Sequence, residues 1–400
     1  MKIMLCEVYK TVNYPGGIER VLCNFSNELI KRGYDVTYVC LDTEKGLPYY
    51  YLDNHVKFLN LCFFGEKYIN LKYYVAKLKK EVKRLFCGAR MTFWGKAISD
   101  PKKEYFEKEY IARLRDYFKI ETPDIIICAD SQSLYIAQSA CDNVIPTIAM
   151  CHTDPLLLVE DIPLHEIESW KRACFVQVLT ESFKNTFLNL GIKRLECIPN
   201  AVEKPYKFRT YNKEYKKVIF VGRIEKIIKR PHLLVEAFSK ISAKHKDWKI
   251  DFYGSIDNKK YYNNIVKIVK QNGLDDNINF CGVVNNIQEK YLEYDIYVTT
   301  SSFEGFGLSL VEAMGIGLPA IGYKNCSSVN ELIEDGITGL LCDDGIDELA
   351  KALDKLMSDG ELRKKMGISA RKYADKFNPK EIYDEWERLL IRAINEGYEK

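Results

Sequence analysis

Two glutamates, Glu304 and Glu312, stand with seven residues between them in the segment Ser301 to Pro319. It reads Ser-Ser-Phe-Glu-Gly-Phe-Gly-Leu-Ser-Leu-Val-Glu-Ala-Met-Gly-Ile-Gly-Leu-Pro. An ionised carboxylate accepts O–H bonds in pairs, so two of them beside a polar, glycine-lined turn could hold the vicinal hydroxyls of sugars. Gly305 and Gly307 free the backbone to approach a ligand closely. Leu308 to Met314 then begin a helix whose first amides favour anionic or hydroxyl acceptor groups. The spacing of the pair is about two helical turns, which lets both carboxylates reach into one crevice. A glutamate inside a helix is ordinarily solvated, and the surrounding Phe-Glu-Gly-Phe-Gly is what sets this pair apart.

Other groups with chemical capacity are scattered more widely. His152 ends a strand-like run, Thr147 to Cys151, at the carboxyl edge where open α/β sheets bind ligands. A lone histidine is commonly structural, and its place at a strand end is what favours a functional role. Arg223 and Lys229 follow the run Val218 to Val221, with Lys226 between them as a competitor. Taken alone, they read as surface charges. Pro15-Gly16-Gly17-Ile18-Glu19 lies between a first strand and a first helix.

These residues need elements to position them. Short β-branched runs alternate with helical patterns almost from end to end, the signature of parallel sheets with crossover helices. Strands are expected at Ile3 to Val8, Val36 to Leu41, Val56 to Leu59, Asp124 to Ala129, Thr147 to Cys151, Phe175 to Thr180 and Glu196 to Pro199. They resume at Val218 to Val221, Lys249 to Tyr253, Ile278 to Cys281, Ile296 to Thr300 and Pro319 to Gly322. Between the first two, Val21, Leu22, Phe25, Leu29 and Ile30 recur at helical spacing, and Gly33 sits where a left-handed C-cap belongs. Gly191 closes another helix in the same way. The polar stretch Lys204 to Lys217 reads as an interdomain linker. Domains are therefore expected at 1–202 and 203–378, with a last helix at about 379–400 free to pack back on the first.

The 400 residues exceed what one core supports, and 47% hydrophobic with 29% charged residues is ordinary for a globular chain. Lys and Arg (59) nearly balance Asp and Glu (56), so nothing global selects for nucleic acid. Thirteen cysteines occur singly with no Cys-x-x-Cys pair, as expected of reduced thiols rather than disulfides or a zinc site. No apolar run approaches the ~18 to 20 residues of a membrane-spanning helix. A soluble, cytoplasmic protein is expected.

One region breaks the rhythm. From Glu66 to Lys119 the sequence is helical, basic and aromatic, and long for a crossover. Two readings stand: a face for anionic lipid headgroups at the inner face of the cell membrane, and a solvated helical pair whose aromatics are core.

The segment Glu304 to Pro319, with its two glutamates, resembles the signature of retaining family-four glycosyltransferases of the GT-B fold, the group 1 enzymes. The resemblance implies an α/β chain of two Rossmann-like domains facing each other across a cleft that holds a nucleotide sugar. Glu304 and the amides of Phe306, Gly307 and Leu308, next to Gly305, would then lie by the donor sugar, and Glu312 by the ribose. Arg223 and Lys229 resemble the family's diphosphate-binding pair, although one residue more separates them than is common. Two cations there would stabilise charge on the departing diphosphate. Gly16 and Gly17 match the N-terminal glycine loop, where amides approach donor phosphates or acceptor, and His152 matches a histidine against the donor sugar. Asn200 lies in Pro199-Asn200-Ala201-Val202, similar to a Pro-Asn-Gly-Val turn with Ala201 in place of glycine. Gly254 and Val283 follow the next two strands, near the base.

What the resemblance implies is transfer of a sugar from a nucleoside diphosphate, by default UDP, to a glycan or lipid-linked saccharide in surface polysaccharide or lipopolysaccharide assembly. No cofactor and no metal are expected, because no Asp-x-Asp pair occurs and Arg223 and Lys229 could supply the charge. A dinucleotide oxidoreductase would need Gly-x-Gly-x-x-Gly directly after a strand. Gly16-Gly17 lacks that spacing, and Gly315-Ile316-Gly317 lies at a helix end. A pyridoxal lysine of the phosphorylase kind is not recognisable. A non-catalytic binding module on the same scaffold is the alternative reading.

Overall fold

The computed structural model describes the chain outside residues 9–10, 63–70, 88–91, 94–95, 98–99, 160–161, 285 and 398–400. It divides into two compact units, Met1–Pro199 with Tyr383–Lys400, and Asn200–Ile382.

The first unit runs β1 (Lys2–Glu7), α1 (Gly17–Lys31), β2 (Asp35–Cys40), β3 (Lys57–Asn60), α2 (Leu71–Cys87), β4 (Thr92–Phe93), β5 (Lys96–Ala97) and α3 (Pro101–Phe118). It continues β6 (Ile125–Cys128), α4 (Ser131–Ala140), β7 (Thr147–Cys151), α5 (Pro155–Val159), α6 (Leu164–Arg172), β8 (Phe175–Val178), α7 (Glu181–Asn189) and β9 (Leu195–Cys197). Seven strands form a parallel sheet in the order β3-β2-β1-β6-β7-β8-β9. Parallel strands covered on both faces must be apolar throughout, and Ile125–Cys128 is buried at every position. Gly33 at φ +84° ends α1 as its position predicts, its N–H bonding to Ile30 while Tyr34 bonds to Leu29.

The second unit runs β10 (Lys217–Val221), α8 (Pro231–Ile241), β11 (Lys249–Tyr253), α9 (Lys259–Gln271), β12 (Ile278–Gly282), α10 (Ile287–Tyr291) and β13 (Ile296–Val298). It continues α11 (Leu308–Ile316), β14 (Ala320–Tyr323), α12 (Val329–Leu332), β15 (Gly339–Cys342), α13 (Ile346–Ser358) and α14 (Gly360–Ala374). Its parallel sheet has the order β12-β11-β10-β13-β14-β15. Phe220, Phe252 and Phe280 pass ring contacts across three adjacent strands at 5.3 and 5.1 Å, the centre of a core that includes Trp248 and Phe238.

Residues 204–217 do not form a free linker. Arg209 is buried and ion-paired with buried Asp295, whose other carboxylate oxygen accepts from the N–H groups of Tyr215 and Lys217 at 2.9 and 3.2 Å. Tyr211 donates to the Gly317 carbonyl at 2.8 Å. The polar composition that reads as linker is the material of these long-range bonds.

The last helix, α15 (Pro379–Glu396), contains the division between the units. Its later residues pack on α1: Phe25 meets Tyr383 and Trp386 at 5.6 and 4.8 Å, and Arg32 bonds Asp384 and Glu387.

Of the basic stretch 66–119, residues 66–70, 88–91, 94–95 and 98–99 lie outside the described residues. In the remainder Tyr110 of α3 is buried, and the half-buried Tyr73 of α2 meets Tyr105 and Phe106 of α3. Among the described residues no helix is long and apolar enough to cross a membrane.

Candidate functional site

In the second unit the strand order reverses direction between β10 and β13, the topological switch point at which open α/β sheets place ligands. The loop after β10 carries Arg223 and Lys229, and the loop after β13 carries Glu304. Both are shaped by local side chains. The Glu225 carboxylate accepts from the backbone N–H groups of Ile227, Ile228 and Lys229, which winds 225–229 into a tight turn. The second loop stitches onto it: Ser302 N–H donates to the Ile228 carbonyl at 2.8 Å, and Thr300 Oγ1 donates to the Lys229 carbonyl at 2.6 Å.

The stitched loops bring two charges together. Lys229 Nζ is 2.5 Å from Glu304 Oε1, and Ser301 Oγ donates to the same oxygen at 2.6 Å. Ser328 Oγ donates to the carbonyls of Glu304 and Gly305, both at 2.9 Å, fixing the loop from the far side. Gly307 caps α11 at φ +94°, a left-handed conformation that glycine adopts without penalty. Leu308 is the first residue of α11. The Phe306 side chain is buried edge-on to Phe377 at 5.3 Å, which withdraws its ring from any ligand.

Glu312 is buried one turn into α11 and lines a pocket with Val202, Phe208, Arg371 and Asn378. Buried Tyr297 on β13 stands in the field of both Glu304 and Glu312, and burial drives its phenol far above its usual range. Its hydroxyl pairs with Ser309 Oγ at 2.9 Å.

The remaining predicted residues of this unit are more loosely held. Arg223 is half exposed, 3.6 Å from Asp257. Lys226 is exposed, whereas Lys229 is mostly covered. A Cβ on Gly254 would come within 2.0 Å of the Gly222 carbonyl oxygen, so that glycine permits the close approach of two strand ends. Val283 is exposed just beyond β12, and Asn200 is buried at the first position of the unit.

In the first unit, the carboxyl ends of β1 and β7 carry the predicted residues. Gly16 caps α1 and Gly17 begins it. A Cβ on Gly16 would meet Glu19 Oε2 at 1.9 Å, whereas Gly17 faces open space. Glu19 is buried, and desolvation lifts its carboxyl to about 7. Beside it, Glu7 ends β1 with its carboxyl pushed up to about 8 by burial and the neighbouring Glu19 charge. Tyr38 and Thr11 hydroxyls donate to Glu7 at 2.5 and 3.1 Å. His152 follows β7 with its Nε2 buried and without a hydrogen-bond partner among the described residues. Burial alone lowers its imidazole to about 4, so it is neutral at physiological pH.

Sequence reasoning missed Glu225, Ser301, Ser328, Tyr297 and Glu7. A serine three positions before Glu304 was visible as a local partner. Ser328, 24 residues away, carried no sequence signal. Among the described residues Glu107, His165 and Glu166 form a cluster with metal-ligand atoms, all in the first unit. Glu166 there is already bonded to Lys103 and Ser131, and Glu107 to Gln132.

Residues 203–373 match the family model described as glycosyl transferases group 1. An uncharacterized glycosyltransferase of Haemophilus influenzae is 24% identical over 391 residues, covering 95% of this chain and 97% of its own. The poly(glycerol-phosphate) alpha-glucosyltransferase of Bacillus subtilis is 27% identical over 205 residues, 50% of this chain but 30% of its own length. Among solved structures, a TarM mutant of S. aureus in complex with fondaparinux, alpha-GlcNAc-glycerol and UDP superposes with a TM-score of 0.71. It is 18% identical, covering 97% of this chain and 99% of its own.

Proposed function

The chain is a group 1 glycosyltransferase of the GT-B fold, and from that premise we propose that it transfers a sugar with retention of anomeric configuration. The donor is a nucleoside diphosphate sugar, with UDP as the nucleotide. The acceptor is a hydroxyl of a glycan or lipid-linked saccharide in surface polysaccharide or lipopolysaccharide assembly. The enzyme would work in the cytoplasm, at the inner membrane face where the acceptor is lipid-linked. UDP in the TarM complex and the poly(glycerol-phosphate) in the name of the Bacillus subtilis relative support this choice.

The observation that carries the reading is the Lys229 to Glu304 pair at the switch point of the second sheet. A carboxylate that accepts sugar hydroxyls and an ammonium that accepts phosphate charge are what a nucleotide sugar requires side by side. Lys229 and Arg223 would hold the diphosphate and stabilise the charge that develops as it leaves, a role a metal ion would otherwise fill. Glu304 and the amides of Phe306, Gly307 and Leu308 would fix the donor sugar, with Gly305 leaving them room. Glu312 would take the ribose, and Gly254 and Val283 would flank the base. Asn200, Gly16 and Gly17 would complete the donor contacts.

His152, neutral by burial, would offer a hydrogen bond rather than a charge to the sugar ring as positive charge builds at the anomeric carbon. The acceptor hydroxyl would attack from the face the diphosphate leaves, and the departing phosphate oxygen would take its proton. No protein nucleophile and no cofactor enter this scheme.

The test is a thermal-shift screen against UDP, GDP, ADP and their sugars, with and without EDTA, followed by product analysis. A ligand at 100 times its Kd adds ~2.7 kcal/mol of stability. One nucleotide series should stabilise the protein regardless of chelator, and its sugar should appear on the acceptor with the donor's anomeric configuration retained. Failure of every nucleotide to stabilise the protein would refute the donor site. Stabilisation without turnover on any acceptor would leave a binding module.

A further inference from the structure

Helix α2 has two faces with opposite fates. One face packs inside its unit: Tyr73 meets Tyr105 and Phe106, Ala76 is buried, and Lys80 is ion-paired with Asp100. On the other side Tyr74, Val75, Leu78 and Val82 are 55, 44, 67 and 45% exposed. Their spacing places them on one continuous stripe, since residues four apart stack along a helix face. Exposed Lys77 and Lys79 fall on the two shoulders of that stripe. The helix carries six Lys and Arg against one acid, Glu81, which pairs with Arg84 at 3.5 Å.

The charge pattern selects the occupant. A second copy docked by the same face would oppose like charges along its whole length. A nucleic acid would engage the lysines and leave the aliphatic stripe wet. An anionic bilayer satisfies both parts: acyl chains receive the aliphatic side chains, while lysine stems extend along them and carry the ammonium groups to the headgroup phosphates.

We propose that α2 lies flat on an anionic membrane surface, with Tyr74, Val75, Leu78 and Val82 below the headgroups and Lys77 and Lys79 on their phosphates. The contact is made wholly by the first unit and is independent of the donor site.

The test is flotation of the full chain with vesicles of phosphatidylcholine alone and with added phosphatidylglycerol. The protein should float only with the anionic vesicles, and less as salt screens the attraction. L78E/V82E should abolish flotation with an unchanged melting temperature, because both side chains are exposed. K77A/K79A should weaken it by about fivefold per lysine. In L78W the added fluorescence should shift to the blue with anionic vesicles. No flotation at low salt, or equal flotation of L78E/V82E, would overturn the proposal. So would a wild-type dimer that L78E/V82E converts to monomers without any vesicle binding.

Discussion

Lys229 and Glu304 reach each other across 75 positions of sequence, and each depends on the other for its charge to be tolerated where it lies, with side chains only 19 and 14% exposed. Removing either leaves the partner uncompensated. Glu304→Gln and Lys229→Met should each lower kcat by roughly 100-fold, in the range seen for electrostatic groups at a reacting centre. The double variant should fall little further, since the two act as one unit. Steady-state kinetics of the four proteins checks this, and fully additive losses would separate the two roles.

Arg223 tests leaving-group stabilisation without a structural cost. It is about half exposed, with the Asp257 carboxylate 3.6 Å away. Arg223→Ala should leave the thermal midpoint within the scatter expected of a surface change, ~0.5 kcal/mol. Turnover should nevertheless drop by at least tenfold. Undiminished turnover would remove Arg223 from the diphosphate site.

The buried acids of the first unit predict a signed pH dependence. From the ordinary value of 4.5 up to about 8, the unfolded chain has lost the Glu7 proton while the folded chain keeps it. Glu7 therefore makes stability fall as pH rises through that window, and Glu19 acts likewise up to about 7. His152 opposes them: its value is depressed from 6.5 to about 4, so its contribution is complete above 6.5 and lost as pH falls through 4. Glu7→Gln should become progressively more stable than the parent from pH 5 to 8, by up to ~1.4 kcal/mol per pH unit. Urea titrations at several pH values measure the difference, and a constant offset would mean that Glu7 ionises normally.

Arg209 anchors residues 204–217 within the second unit. Arg209→Met strands the buried Asp295 charge and should cost ~3 to 5 kcal/mol, whereas R209M/D295L removes both charges and should recover most of it. Unfolding midpoints of the two variants decide, and equal losses would show that backbone bonds to Asp295 matter more than its charge.

The alternation of strands and helices was legible because parallel strands must be apolar and crossover helices must be amphipathic, two periods that composition writes directly into the chain. Gly33 was legible for a related reason, since it ends a helix at a backbone angle that other residues resist, whereas Gly307, read as room for a ligand, also caps α11 in the same left-handed region. The choice between Lys226 and Lys229 was not, because the Glu225 carboxylate turns the loop in a way spacing cannot express. Glu7 was hidden too: an acid at the end of an apolar strand reads as solvent-facing until Tyr38, Thr11 and Glu19 are seen around it. The segment 204–217 reads as loose because its partners, Asp295 and Gly317, lie about a hundred residues on.

The packing of Tyr383 and Trp386 on Phe25 sets an order of assembly on the ribosome. Residues 200–382 are contiguous and can close their core as soon as they emerge. The first unit, although it begins earlier in sequence, lacks its covering helix until residues 383–396 are translated. At ~5 to 20 residues per second, the apolar face of α1 waits on the order of 20 to 70 s for that cover. Chains released before residue 383 would present that face to chaperones and proteases, so loss of 383–396 should harm solubility through the first unit while 200–382 can still close its own core.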